Sequence, residues 1–354
     1  MSAISSAGQK LPKEGAKAIA WLVPSRYLDL GGPQAGSSLA SVRYRVLLPM
    51  WELASRGHDV TLIPLDGPSS VERLRGLGKL DVVLLWKYAG TLGLHERIVK
   101  AAHSHGAALA YDVCDDYSEH SMFGAEFLST IHDADIVIAA SQALAQVIAE
   151  KTTRVATIIS EPFEGPKGEA RFSPRAERLK LLWFGHWSNF ESLDATIPDL
   201  LEFGARWPLA LTVVTLAEKQ LLARFKQFNQ RHRHLLSLRY EEWSPKATWG
   251  ALAGADIVVI PQQLNNRLRM AKSPNRLVES MWAGRFVVAS PIPAYLEFGE
   301  WAALHERIAD GLEWTVANRQ ALAGRIARAQ EYIEKHYSPG AIADRWERAL
   351  RLLP

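Results

Sequence analysis

Short runs of consecutive apolar residues recur along the chain, separated by stretches in which apolar positions return every three or four residues. The first set of runs lies at 18–24, 58–64, 81–86, 107–113, 135–140 and 155–160, and helical patterning fills 41–55, 71–77, 92–105, 123–132 and 142–151 between them. A second set lies at 179–185, 209–215, 236–243, 257–260 and 286–289, with helices expected near 193–203, 216–231, 244–253 and 274–283 and two more within 307–336. Continuous apolar runs alternating with helices predict α/β architecture with parallel sheets covered on both faces. Residues 161–178 break the rhythm with Pro, Gly and charge and read as a linker. The expected organisation is therefore two Rossmann-like doubly wound domains, 1–160 (with a polar leader, 1–16) and 179–337. A last helix, 338–354, repeats apolar residues at Ile342, Trp346, Leu350 and Leu353.

Composition narrows this picture. The 354 residues suffice for two cores, and 48% hydrophobic with 22% charged is the balance of a soluble globular protein. A formal charge of +3, without a basic block interleaved with aromatics, argues against nucleic acid and leaves room for peripheral contact with an anionic membrane. Cys114 is the only cysteine, so an internal disulfide is excluded and a reducing compartment is expected. The first apolar run is too short for a signal or membrane segment, which points to the cytoplasm.

Candidate chemistry concentrates in three places. Around 257–289, a strand, a helix and a second strand are joined by a loop carrying Arg267, Arg269 and Lys272. Ser273 stands where an N-cap belongs, Pro274 suits the first helical position and Gly284 stops the helix. Such a helix start beyond a parallel strand favours an anion. Asn275, Arg276 and Glu279 share one helical face, and the Glu279 carboxylate can hold two ribose hydroxyls while the helix start and the cations hold phosphates. The second place is 111–120, where Asp112, Asp115, Asp116, Glu119 and His120 crowd into nine residues after a strand. A carboxylate or imidazole there can activate an acceptor hydroxyl; oxygen ligation of a metal and simple capping of the next helix are the other readings, and no established metal-ligand spacing fits. The third is the glycine-bearing loop after the first long strand, with Gly31, Gly32 and Gly36.

The order Lys-Ser-Pro-Asn-Arg, Glu279, Ala-Gly and a valine-rich strand resembles the donor-binding segment of GT-B glycosyltransferases, in the group called family 1 or family 4. SVRYRVLLP with LASRGHDV near the start, and YIEKHYSPGAIADRWERALRLL near the end, extend the resemblance over nearly the whole chain. It implies two domains facing a cleft, a nucleotide-diphosphate sugar as donor substrate, no bound metal or other cofactor, and a glycan, lipid-linked or small-molecule acceptor of the kind met in bacterial surface-glycan synthesis. It implies Glu279 on the ribose, Lys272 to Asn275 near the diphosphate, and a terminal helix packed back on the first domain. By the same resemblance Gly185, His186, Ser188 and Asn189 approach the diphosphate, Trp243 lies near the base, and Arg43 and Arg45 face the cleft. Two positions depart from the family: Ala271 stands where retaining members carry a second glutamate, and the 186–192 turn lacks the usual cations. A non-catalytic GT-B partner protein that binds nucleotide or glycan, or a nucleotide-sugar epimerase, is the alternative.

Overall fold

The computed structural model describes residues 4–5, 15–87, 92–172, 178–216 and 219–351. The chain divides into two compact units: Met1–Pro162 with Ala271–Ser273 and His336–Pro354, and Phe163–Met270 with Pro274–Lys335.

In the first unit the strands are β1 (Ile4–Ser5), β2 (Ala18–Pro24), β3 (Asp59–Leu65), β4 (Val82–Trp86), β5 (Ala108–Val113), β6 (Ile136–Ala139) and β7 (Ala156–Ile158). Their order across the sheet is β1-β3-β2-β4-β5-β6-β7, parallel throughout except for the two-residue β1, which pairs antiparallel with Leu62 and Thr61. β1 falls in the stretch that sequence pattern leaves as a polar leader. Every residue of β4 and β5 is buried, because helices cover both faces. The helix expected at 41–55 is one rod with a change of pitch: Ala40–Val42 is α-helical, Arg43–Leu47 is a π-turn, and Leu48–Ser55 is α-helical again. Helix Pro339–Arg351 belongs to this unit. Trp346 meets Trp21 of β2 edge-on at 5.2 Å, and Ile342 and Leu350 join the same core. Arg56 ties the helix down through Asp344 (2.5 Å), Glu347 (3.0 Å) and the Gly340 carbonyl (2.8 Å).

In the second unit the strands are β8 (Leu179–Phe184), β9 (Leu209–Thr215), β10 (Leu236–Glu242), β11 (Ile257–Ile260), β12 (Phe286–Ala289) and β13 (Ala303–Leu304), all parallel, in the order β10-β9-β8-β11-β12-β13. The helix expected at 193–203 is two, Phe190–Asp194 and Ile197–Gly204, because Pro198 opens the second and lacks the N–H that would join it to the first. Ser244 caps helix Pro245–Gly254 by accepting from the Ala247 N–H at 3.0 Å. Residues 163–171 pack along this unit: Phe163 stacks on Trp282 at 4.0 Å, and the Glu169 carbonyl accepts from Arg285 at 2.8 Å. Gly284, at φ +75°, ends helix Asn275–Trp282 as its sequence position suggests, and a Cβ there would lie 2.1 Å from the Glu169 carbonyl oxygen.

Candidate functional site

In an open parallel sheet, ligands bind beyond the carboxyl ends of the strands where the strand order reverses. Each unit has one such point: between β2 and β4 in the first, and between β8 and β11 in the second.

In the second unit, β8 ends at Phe184 and the chain turns through Gly185, His186 and the 3-10 turn Trp187–Asn189. The His186 ring accepts from the Ser188 N–H (3.3 Å) and lies 2.9 Å from its hydroxyl, which holds the turn closed. Arg269, in the short helix Arg267–Met270, donates to the Ser188 carbonyl at 2.7 Å and to the Asn189 side chain. A cation from the short helix after β11 thus reaches a turn that carries none of its own. Arg276 adds a second, its guanidinium 3.5 Å from the Phe184 carbonyl and 3.4 Å from the place a Cβ on Gly185 would occupy. Sequence reasoning put Arg276 on the face it shares with Asn275 and Glu279 and gave it no part in donor binding; the pairing of β8 with β11 is what brings it to the end of β8. Glu279 and Asn275 are buried on helix Asn275–Trp282, Arg267 is exposed, and Trp243 is half-buried with its backbone N–H on the Thr215 carbonyl at 2.8 Å.

Ser273 is not the N-cap expected of it. Pro274 occupies the cap position with no side-chain hydrogen bond, and the Ser273 hydroxyl donates instead to Glu161 at 2.5 Å, a partner 112 residues away that local spacing cannot announce. Lys272 is likewise engaged: its ammonium pairs with Asp115. Ala271 is buried in the first unit's core, its carbonyl accepting from the Ser141 hydroxyl at 2.8 Å.

At the reversal point of the first unit, Lys87 follows β4 with φ +41°, a left-handed backbone uncommon for a side-chain-bearing residue. Its ammonium takes one oxygen of Asp115 while Lys272 takes the other. Burial works to raise the Asp115 pKa, but the two ammonium groups overcome it and hold the carboxyl well below the usual range. Burial likewise works to lower Lys87, and the negative groups around it reverse that, so its pKa lies well above the ordinary lysine value.

Asp112 and Arg45 correct two expectations together. Arg45 lies in the π-turn, 1% exposed, and its guanidinium forks onto both oxygens of the fully buried Asp112 (Nε at 2.9 and 2.8 Å) and onto the Ile159 carbonyl at 2.8 Å. Burial pushes Asp112 up and Arg45 opposes it; on the guanidinium, burial is outweighed by Asp112 and Glu161, and Arg45 stays cationic. Neither side chain is positioned to meet a substrate, because each is spent on the other. Asp116 accepts from the Ser118 N–H (2.9 Å) and hydroxyl (2.6 Å) within the loop, and it does not cap the next helix, Gly124–Asp133, whose cap position is Phe123 with no side-chain hydrogen bond. The His120 ring is exposed, stacks on Phe123 at 4.7 Å and accepts from the Met122 N–H at 3.2 Å. Among the described residues no group of three or more His, Cys, Asp or Glu is placed to hold a metal ion. Gly32 is exposed in a loop closed by paired backbone bonds between Asp29 and Gly36, both 2.8 Å. Arg43 donates to the Ser37 and Ser38 carbonyls at the end of that loop (3.2 and 3.3 Å).

No protein-family model matches the chain, and a search of curated proteins finds no match. Solved structures do match. A glycosyltransferase from Rickettsia africae superposes with TM-score 0.69 at 12% identity, over 96% of this chain and 98% of its own. HepE from Anabaena, solved in complex with UDP, gives TM-score 0.65 at 15% identity over 94% and 99%. The chain has the GT-B fold. A third GT-B neighbour, an E. coli trehalose-6-phosphate structure bound with UDP-2-fluoro glucose, gives TM-score 0.61 at 10% identity over 95% and 92%. The GT-B architecture accounts for the two parallel sheets and for both reversal points. No described helix is long and apolar enough to cross a membrane.

Proposed function

We propose that this protein is a glycosyltransferase that takes a sugar from a nucleotide-diphosphate sugar and passes it to a glycan, lipid-linked or small-molecule acceptor. The observation that carries this reading is the second unit's reversal point, where Arg269 and Arg276 bracket the 185–189 turn beside helix Asn275–Trp282 with its buried Glu279. Two cations and a helix start suit a diphosphate, and stabilising the departing diphosphate is the chief demand of glycosyl transfer. Two of the fold's neighbours hold UDP or a UDP-sugar analogue, which supports a nucleotide donor. In this reading Gly185, His186, Ser188, Asn189, Arg267, Arg269, Asn275 and Glu279 serve the donor, with Glu279 on the ribose and Trp243 near the base.

Calorimetric titration with UDP, GDP, dTDP, ADP and CMP tests it. Selective micromolar binding of one nucleotide is expected, unchanged by a chelator. Glu279→Ala should weaken that binding by about 10- to 150-fold; a folded variant with unchanged affinity removes the ribose role. Binding to none of the five removes the nucleotide reading.

One observation favours a second reading, a non-catalytic nucleotide- or glycan-binding protein. Asp115, one of the acidic-loop candidates for the base, is held between two ammonium groups at a lowered pKa that makes it a poor proton acceptor. Nucleotide binding without release of the nucleotide from any sugar donor, across a panel of acceptors, would select this reading.

A further inference from the structure

Gln262 stands two residues beyond β11, at the second unit's reversal point, and is 8% exposed. Its backbone is fixed: the Gln262 N–H donates to the Ser290 hydroxyl at 2.9 Å, and the Ser290 N–H donates to the Ile260 carbonyl at 3.2 Å. Its side chain is not accounted for. Both Oε1 and Nε2 are buried, and among the described residues neither has a hydrogen-bond partner. A buried carboxamide with both ends unpaired works against folding, since it has given up water without compensation. Each such group calls for an explanation, and among the described residues most buried unpaired polar atoms are single indole N–H groups or single hydroxyls. Gln262 differs in leaving two separate polar atoms unpaired on one side chain, an NH2 donor and a carbonyl acceptor, on a clamped backbone at the edge where this fold takes its ligand.

We propose that the Gln262 carboxamide is a specificity-determining residue that recognises a neutral donor-acceptor pair on the nucleotide sugar. This rests on the proposed nucleotide-sugar reading and extends it. The partner is not a phosphate: an oxyanion would satisfy the amide N–H groups and repel Oε1. Two parts of a nucleotide sugar offer a neutral pair, the hydroxyls of the transferred sugar and the hydrogen-bonding edge of the base.

The decisive variant is Gln262→Met, which keeps the length of the side chain and removes both polar ends. Thermal unfolding and calorimetric titration with UDP and UDP-glucose are run on both proteins. Relieved of an unpaired amide, the variant should melt about 2 to 4 °C higher. It should also bind more weakly by about tenfold. Loss for UDP-glucose alone assigns the sugar hydroxyls; equal loss for UDP and UDP-glucose assigns the nucleoside. A lower melting point would show that the amide has structural partners, and unchanged affinity for both ligands would show that it meets none; either result overturns the proposal. If the unaltered protein binds neither ligand nor any of the other four nucleotides, the nucleotide reading itself has failed, and the melting comparison still reports separately whether the amide is paired.

Discussion

A guanidinium and a carboxylate buried together are worth little as a pair and much as a dependency. Removing one partner strands the other, which typically costs about 3–5 kcal/mol, whereas replacing both with apolar groups is often neutral. Asp112→Ala should therefore lower stability in urea by about 3–5 kcal/mol, and the Arg45→Met, Asp112→Leu double variant should recover most of that. Asp115 makes a different demand, one of pH. Its folded pKa lies below the unfolded value, so its contribution is complete above the usual carboxylate range and is lost as pH falls through the depressed native value. That contribution should accordingly persist into strongly acidic conditions. Lys87→Met, which removes one of the two cations, should move the acid midpoint upward, as followed by far-UV circular dichroism; an unmoved midpoint would show that Lys272 alone sets the pKa. Neither pair could be found from spacing, because Arg45 and Asp112 are 67 residues apart and Lys272 and Asp115 are 157 apart.

At the level of elements, the apolar runs were legible almost to the residue. β9 coincides with its expected range, and β8, β10 and β12 depart from theirs by at most one residue, since buried parallel strands are written as uninterrupted apolar stretches that need no context. What context decides was less legible. The π-turn at Arg43–Leu47 has no local signature, and the change of pitch coincides with the buried arginine it carries. The Ser273 cap failed because a carboxylate from distant sequence competes for the same hydroxyl, and local capping rules cannot weigh that contact. Gly284 is the opposite case, a stop signal read correctly from sequence whose necessity is steric. Gly284→Ala should destabilise the second unit by more than about 1 kcal/mol, because the positive φ adds to a clash with the Glu169 carbonyl. A thermal melt that is unchanged would mean that residues 168–169 can yield.

At the scale of the whole molecule, the resemblance seen in sequence extended to the architecture, and the structural neighbours carry the same two-sheet design at identities of 10–15%. Identity that low preserves layers and strand order while leaving side chains free to change, so the fold was more legible than the chemistry at its reversal points. The units are also interleaved along the chain: residues 336–351 complete the first core only after the second unit has been traversed. Deleting residues 336–354 should therefore raise hydrogen exchange in β2 and helix Leu48–Ser55 and leave β8, β9 and β11 protected; the reverse pattern would contradict the assignment of Trp346 to the first core. The same interleaving governs events on the ribosome. Translation proceeds at about 5–20 residues per second, and Trp346 follows Pro162, where the first unit's long segment ends, by 184 residues, so a nascent first unit would spend roughly 9 to 37 seconds with Trp21 lacking its partner. The second unit, begun later, is complete in sequence sooner. That interval is when chaperones would find this protein, and a synonymous change that slows synthesis late in the message would lengthen it without altering a single residue.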